Sequence, residues 1–296
     1  MQTGGNNPGG TVRELLRQAE QQLHASDSGL LDAEVLLCSV TGLDRVRLYA
    51  CPELDIEAQL AAAFQARIRE RQEGTPVAYL TGVKEFWSMS LQVNAHTLVP
   101  RPETECLVDA VLRRIPSEQP LRIADLGTGC GAIALAIAKE RPACHITATD
   151  ISNEALAVAK SNATRQDADQ ISFVLSDWLN TLHGTYALIV SNPPYVRDGD
   201  ELLLHTDIRH EPRLALCGGT DGLDAIRRII GSAGPHLDLN GWLCIEHGCD
   251  QGASVRGLFA DNGFTDVVTI NDYAGLERAS CGRWNQGVRV LENCKH

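Results

Sequence analysis

The stretch Asn192-Pro193-Pro194-Tyr195 follows an apolar run, Tyr186 to Val190, and cannot continue it as a strand. Two successive prolines carry no N–H donor and fix their own φ angles. The residue before each proline is pushed toward extended backbone. The result is a stiff corner holding one Asn side chain beside a bare backbone carbonyl. Two acceptors side by side match the two N–H bonds of one planar –NH2 group, so the corner suits chemistry on an amide or exocyclic amino nitrogen. Read alone, Asn-Pro is also a common turn opener, and a rigid structural turn explains it equally well.

A second candidate lies upstream. Asp125-Leu126-Gly127-Thr128-Gly129-Cys130-Gly131 follows a strand-like run and opens a helical one. Glycines there let the backbone turn tightly and approach a ligand closely. The stretch is not the full dinucleotide fingerprint, because position 132 is Ala, and on its own it is a weak signal. Asp150 ends the next strand-like run about 20 residues on, where an acidic side chain can accept both hydroxyls of a ribose. It could instead cap the helix starting near Asn153, a role open to Ser152 too. Asp177-Trp178 ends the third run. An acid and an aromatic there could flank an adenine ring, and a Trp filling the core under a loop accounts for the same residues. Glu246-His247 ends the fifth run and invites a general-base reading, although a satisfied polar pair at a strand end is the plainer one. Arg101, Glu103 and Glu105 precede the alternating region. Glu105 reads best as a helix-start charge, and the role of Arg101 stays open.

The elements that must position these residues follow from periodicity. Thr11 to Tyr49 reads helical, opening on a Thr11/Glu14 capping box. Ile56 to Arg71 is amphipathic, so residues 11–74 form a small helical bundle. Residues 75–100 contain helix breakers and a period-two stretch around Met89, Leu91 and Val93, which predicts a hairpin linker. A helix over Glu103–Arg114 opens the last domain, residues 101–296. There strand-like runs (Arg122–Leu126, His145–Thr149, Ile171–Leu175, Tyr186–Val190, Trp242–Glu246, Val267–Asn271) alternate with helical ones (Ala132–Lys139, Asn153–Thr164, Leu223–Ala233, Gln251–Asp261). A final strand is expected at Gly287–Leu291. The alternation predicts an α/β fold with a Rossmann-like, doubly wound, mostly parallel sheet. Ligands of such sheets bind at the carboxyl ends of the strands, which places Asp125, Asp150, Asp177 and Asn192 along one edge.

Composition narrows the function. The net charge of −12 over 296 residues argues against a chain that grips a long nucleic acid, which shows a basic footprint. Ten cysteines have no C-x-x-C spacing, so buried reduced thiols are expected rather than a metal site or disulfides. Residues 1–10 are Gly/Asn-rich, without the pattern of a signal or transit peptide, and read as a disordered tail. No apolar run reaches the length of a membrane span. A cytosolic protein is expected.

Together these stretches resemble the class I S-adenosylmethionine-dependent methyltransferases. More closely, they resemble the release-factor glutamine N5-methyltransferases, the PrmC/HemK family. The likeness is carried by Val77 to Gly82, Glu85 to Ser88, Pro100 to Glu105, Asp125 to Gly131, Ser176 to Trp178, Ser191 to Tyr195 and Glu246 to Gly248, and it runs from about Thr11 to Arg283. The resemblance implies a helical N-terminal domain that helps grip a protein substrate, a hairpin linker and a catalytic Rossmann-like domain. It implies that Gly127, Thr128, Gly129, Cys130 and Gly131 lie against the methionine part of S-adenosylmethionine, that Asp150 holds the ribose, and that Trp178 contacts the adenine. Asn192, Pro193, Pro194 and Tyr195 would receive the Gln side chain of the Gly-Gly-Gln loop of class I peptide-release factors. Asn192, Pro193 and Tyr195 would carry the catalysis, and Asn192 would also touch the cofactor. Two other acceptors fit the same corner: a glutamine of a ribosomal protein, and the N6 amino group of adenine in a nucleic acid. The acidic charge counts against the second.

Overall fold

The computed structural model describes residues 8–26, 28–204 and 207–285. They fall into two compact units, one within Met1–Val83 plus Leu204–His210 and one within Lys84–Leu203 plus Glu211–His296.

The first unit is mostly helical. Strand β1 (Pro8–Thr11) leads into α1 (Val12–Gln22), where Thr11 and Glu14 form the expected capping box. Helix α2 (Gly29–Thr41) stops at Gly42, which takes the left-handed conformation. Helix α3 (Arg45–Ala50) is capped by Asp44, whose carboxylate accepts the Arg47 N–H at 2.7 Å. Strand β2 (Asp55–Glu57) precedes α4 (Ala58–Gln72). Val12, Leu15, Leu36, Leu37, Phe64 and Ile68 form one buried core. Helix α5 (Val77–Thr81) fills the gap between the two breakers, with Pro76 before its first turn and Gly82 in the left-handed conformation at its end.

Two sequence expectations change here. Residues 8–11 are not part of a loose tail but pair antiparallel with β2. The glycine content that reads as disorder permits this packing, because a Cβ on Gly9 would stand 2.5 Å from that of Ala61. Residues 1–7 of that expected tail lie outside the described residues. Likewise α5 occupies a stretch expected to lack helix.

The second unit carries the alternation. Strands β3 (Val83–Phe86) and β4 (Met89–Gln92) form the expected hairpin, with Trp87 and Ser88 both at positive φ. This primed turn matches the natural twist of paired strands. A 3-10 turn (Pro102–Thr104) enters α6 (Glu105–Leu112). Then come β5 (Arg122–Leu126), α7 (Ala132–Glu140), β6 (His145–Asp150), α8 (Asn153–Arg165), β7 (Ile171–Leu175) and β8 (Tyr186–Ser191). Helices α9 (Arg213–Leu216) and α10 (Asp224–Ala233) lead to β9 (Leu237–Glu246), α11 (Gly252–Asp261), β10 (Phe264–Asn271) and β11 (Glu277–Trp284).

The seven-stranded sheet runs β10-β11-β9-β8-β5-β6-β7. Strands β5 to β9 pair in parallel, and β11 runs antiparallel to both its neighbours. Ala124, Leu126, Ile189 and Leu243 share one core with Ile226 and Ile229 of α10 and Val255 and Phe259 of α11. The chain runs outward from β5 through β6 to β7, then returns to β8 on the other side of β5. That reversal is a topological switch point, where doubly wound sheets bind their ligands. Strand β11 is absent from the sequence expectation, and the strand expected at Gly287–Leu291 lies outside the described residues.

Candidate active site

The switch point places the glycine turn after β5 beside the Asn-Pro-Pro corner after β8. In the turn, Gly127 and Gly129 have φ of 72° and 57°. The turn is held from within and from behind. The Thr128 hydroxyl donates to Asp125 Oδ2 at 2.6 Å, and the Thr128 N–H donates to the Thr149 carbonyl at 2.8 Å. Asp150 Oδ2 accepts the Gly129 N–H at 2.9 Å, and its Oδ1 accepts the Ser152 N–H at 2.9 Å. Ser152, not Asp150, caps α8 by accepting the Ala155 N–H.

A cavity of about 440 Å³ opens over these elements. Of the residues expected to hold a cofactor, Gly127, Thr128, Gly129, Cys130, Asp150, Trp178 and Asn192 line it. Gly131 does not; it packs inward, where a Cβ would meet Ala159 and Leu135 at 3.3 Å. Trp178 sits over the turn, its ring 3.1 Å from where a Gly127 Cβ would stand, with its own backbone in the left-handed region at φ 54°. That is an uncommon conformation for an aromatic residue. Asp177 is paired with Arg228 of α10.

Within the corner, Asn192 and Pro194 line the cavity, whereas Pro193 and Tyr195 do not. Pro193 is buried. The Asn192 amide donates from Nδ2 to Thr104 Oγ1 at 3.2 Å, which leaves Oδ1 as its acceptor. The Tyr195 hydroxyl donates to Glu246 Oε1 at 3.2 Å. Burial, then the nearby Glu246 charge, pushes that hydroxyl's pKa upward.

Two buried carboxyls stand behind the cavity. Burial pushes Asp125 up to about 7 against the Thr128 hydroxyl and the Ala134 N–H, which favour the charged form; its Oδ1 has no hydrogen-bond partner. Burial likewise pushes Glu246 up to about 7, opposed by the Thr104 and Tyr195 hydroxyls and by Arg278. His247 is fully engaged and outside the cavity. Its Nδ1 can only donate to the Gly248 carbonyl at 2.9 Å, so Nε2 accepts from the Ser280 hydroxyl at 2.9 Å. Of the satisfied polar pair expected at this strand end, His247 is satisfied, whereas Glu246 Oε2 has no hydrogen-bond partner. Arg101 pairs with the buried Glu211, which also accepts the Val99 N–H at 2.9 Å. Glu105 stands in the first turn of α6, but its carboxylate accepts the Trp87 N–H at 2.9 Å rather than an N–H of its own helix.

Sequence reading assigned no role to Thr104, although it lies within a stretch that carried the family resemblance. It also missed Leu98 and Pro100 before α6 and Leu214, Ala215 and Cys217 around α9, which complete the cavity wall. Those segments show neither period, and only tertiary folding brings them to the strand ends. Among the described residues no cluster of His, Cys, Asp and Glu could hold a metal, and no helix is long and apolar enough to cross a membrane.

A glycine turn at the switch point of a sheet in this strand order defines the class I methyltransferase fold. Solved structures share it: the hMettl16 catalytic domain, in complex with MAT2A 3'UTR hairpin 6, has a TM-score of 0.56 at 17% identity, covering 77% of this chain and 83% of that one. A methyltransferase from Pyrococcus furiosus has a TM-score of 0.51 at 18% identity, covering 75% and 98%. Residues 104–215 match the methyltransferase small domain, and residues 14–82 match the PrmC N-terminal domain. The release factor glutamine methyltransferase of Escherichia coli (strain K12) is 45% identical over 272 residues, 92% of this chain and 98% of that protein. That of Coxiella burnetii is 42% identical over 275 residues, 92% and 99%. The chain belongs to the release factor glutamine methyltransferase family.

Proposed function

We propose that this chain transfers the methyl group of S-adenosylmethionine to the side-chain amide nitrogen of the Gln in the Gly-Gly-Gln loop of class I release factors. The observation that carries the proposal is the Asn192 carboxamide, with Nδ2 engaged by Thr104 and Oδ1 left as an acceptor at the wall of the cavity.

The residues present suit the cofactor. A Cβ on Gly129 would meet nothing within 4 Å, so the turn is open beside the cavity, where the methionine part would lie. Each Asp150 oxygen uses one lone pair on a backbone N–H and keeps another for a ribose hydroxyl. Trp178 offers an aromatic face for the adenine. A bound S-adenosylmethionine supplies a methyl carbon made electrophilic by its sulfonium.

An amide nitrogen is a poor nucleophile because its lone pair is delocalised. The Asn192 oxygen would accept one N–H bond of the Gln, aim its nitrogen at the methyl carbon and stabilise positive charge developing on it; the Pro193 carbonyl, on a residue that is buried and does not line the cavity, would be the second acceptor once the Gln has entered. Transfer would leave the cofactor as S-adenosylhomocysteine, and the methylated nitrogen would then lose one proton to water. That proton is strongly acidic, so neither Glu246 nor His247 is required as a base. Pro194 would shape the entry. Tyr195, held by Glu246, would back the corner rather than reach into the cavity.

The N-terminal unit is proposed to help grip the protein substrate. It leaves Leu30, Leu31, Val46 and Tyr49 exposed, an apolar surface of the kind that marks protein contacts. The reaction is placed in the cytosol, with the translation machinery. The test is an assay with labelled S-adenosylmethionine and three acceptors: a release factor, a ribosomal protein and duplex DNA. One methyl on the loop glutamine by mass spectrometry is the expected result. Labelling of the ribosomal protein or the DNA alone would overturn it.

A further inference from the structure

We infer that Thr104 and Glu246 are positioning residues that fix which way the Asn192 carboxamide faces, keeping its oxygen toward the cavity and its nitrogen away from it. The inference deepens the proposed function and rests on the reading of Asn192 as the acceptor for the substrate amide.

The argument starts from the ambiguity of a hydroxyl. A threonine hydroxyl can accept from an amide N–H or donate to an amide oxygen. Left alone, the buried Thr104 hydroxyl could serve Asn192 either way, and a half-turn of the carboxamide would present –NH2 to the incoming –NH2 of the substrate. Two donors facing each other would repel. In the observed arrangement Nδ2 donates to Thr104 Oγ1 at 3.2 Å. The Thr104 proton must then point elsewhere; the Thr104 hydroxyl favours the charged form of the buried Glu246, whose Oε1 takes the Tyr195 hydroxyl of the same corner at 3.2 Å. Burial raises Glu246 to about 7, so above that pH it is ionised, and an ionised carboxylate can only accept. It therefore claims the proton, leaves Oγ1 to accept, and so sets the orientation of Asn192.

Glu246 suits this role by its isolation. It is 1% exposed and sits at the end of β9, next to β8, which carries the corner. Its Oε1 holds the Tyr195 hydroxyl at 3.2 Å, while Oε2 has no fully formed hydrogen bond. Arg278 of β11 faces both Glu246 and Tyr195 and is itself paired with Asp272 at 3.0 Å. Glu103, just before α6, is the like charge nearby. One buried carboxylate thus faces both the last residue of the corner, directly, and the first, through Thr104. Glu246 does not line the cavity and would act through Thr104 and Asn192; Thr104 lines it, but its hydroxyl is engaged by the Asn192 amide, through which it would act.

The experiment compares Asn192→Ala, Thr104→Val, Thr104→Ser and Glu246→Gln in the full chain. A release factor is the acceptor, and affinity for S-adenosylhomocysteine is measured by calorimetry. Valine keeps the shape of threonine without the hydroxyl; glutamine keeps the shape of glutamate but can also donate. Small misplacements at a reacting centre cost up to about a hundredfold, so Thr104→Val and Glu246→Gln are each expected to lower kcat by roughly ten- to a hundredfold. KM should move much less, and cofactor affinity should stay within about twofold, the signature of an interaction made at the reacting centre. Thr104→Ser should recover most of the rate. If Asn192→Ala is inactive while Thr104→Val and Glu246→Gln keep the wild-type kcat, the positioning inference falls and the proposed function stands. If Asn192→Ala keeps the wild-type rate, the reading beneath both falls. A joint loss of rate, cofactor affinity and melting temperature without rescue by serine would overturn positioning in favour of a purely structural role.

Discussion

Asp150 Oδ2 accepts a hydrogen bond from the Gly129 N–H at 2.9 Å, so the acid expected to hold a ribose also fastens the glycine turn. Its other oxygen takes the Ser152 N–H. Both jobs need an acceptor at each oxygen. In Asp150→Asn one oxygen becomes an –NH2 group, which must face a backbone N–H across either bond. Leaving such a partly buried donor unsatisfied costs about 1–3 kcal/mol. Affinity for S-adenosylhomocysteine is accordingly expected to drop roughly ten- to a hundredfold, measured by calorimetry. Unchanged affinity would remove Asp150 from the cofactor site.

The turn itself offers a second test. Gly127 combines a φ of 72° with the Trp178 ring at 3.1 Å from a would-be Cβ. An alanine there takes on left-handed strain of about 1–2 kcal/mol and pushes the indole aside. Gly127→Ala is expected to weaken cofactor binding and to change Trp178 fluorescence together. By contrast, Gly42→Ala has open space around its Cβ and lies in the N-terminal unit, so it carries the backbone strain alone and should leave cofactor affinity intact. Equal loss of affinity in both variants would contradict the assigned contact.

These residues also show what could be read before folding and what could not. Strands β5 and β8 are mostly apolar because parallel strands inside a sheet are buried on both faces, and their expected bounds, like those of the edge strand β7, agree with the observed ones to within a residue. Strand β11 mixes Glu277, Arg278 and Arg283 with a buried centre of Ala279 to Gly282, and no period announces it. Yet it supplies Arg278 and Ser280 to the groups behind the site. The glycine turn and the Asn-Pro-Pro corner were legible because their residue types serve local backbone needs. Thr104 was not, since its partner Asn192 is 88 positions away and only the sheet brings them together.

The Arg101–Glu211 pair makes a stability prediction. The Glu211 side chain is wholly buried and the Arg101 side chain is 34% exposed. Removing the cation strands a buried carboxylate that keeps only the Val99 N–H as a formed partner. Breaking a fully buried pair costs about 3–5 kcal/mol. Because Arg101 is partly solvated, Arg101→Met is expected to cost less, roughly 1–3 kcal/mol in denaturant unfolding. Arg101→Met with Glu211→Gln should recover part of it. No recovery in the double variant would show that the arginine acts independently of that carboxylate.

The two buried acids set a pH dependence whose sign runs against the usual carboxylate pattern. Asp125 is raised from 3.8 to about 7 by burial, and Glu246 from 4.5 to about 7 by the same cause. Between the ordinary values and about 7, the folded chain holds these protons and the unfolded chain has lost them. Stability from these groups is therefore fully present below about 4 and is lost as pH rises through about 7. Each proton contributes a slope of at most about 1.4 kcal/mol per pH unit across that window. Asp125 also faces the Asp150 charge, which acts in the same direction, and Arg278 opposes the shift at Glu246. Asp125→Asn keeps the shape, removes the titration and retains an amide oxygen for the Thr128 hydroxyl. Its stability in denaturant, measured from pH 5 to 8 without cofactor, is expected to fall less steeply with pH than the wild type, with the curves converging toward low pH. A wild-type curve that runs parallel to the variant across that range would show that Asp125 is already ionised in the folded chain.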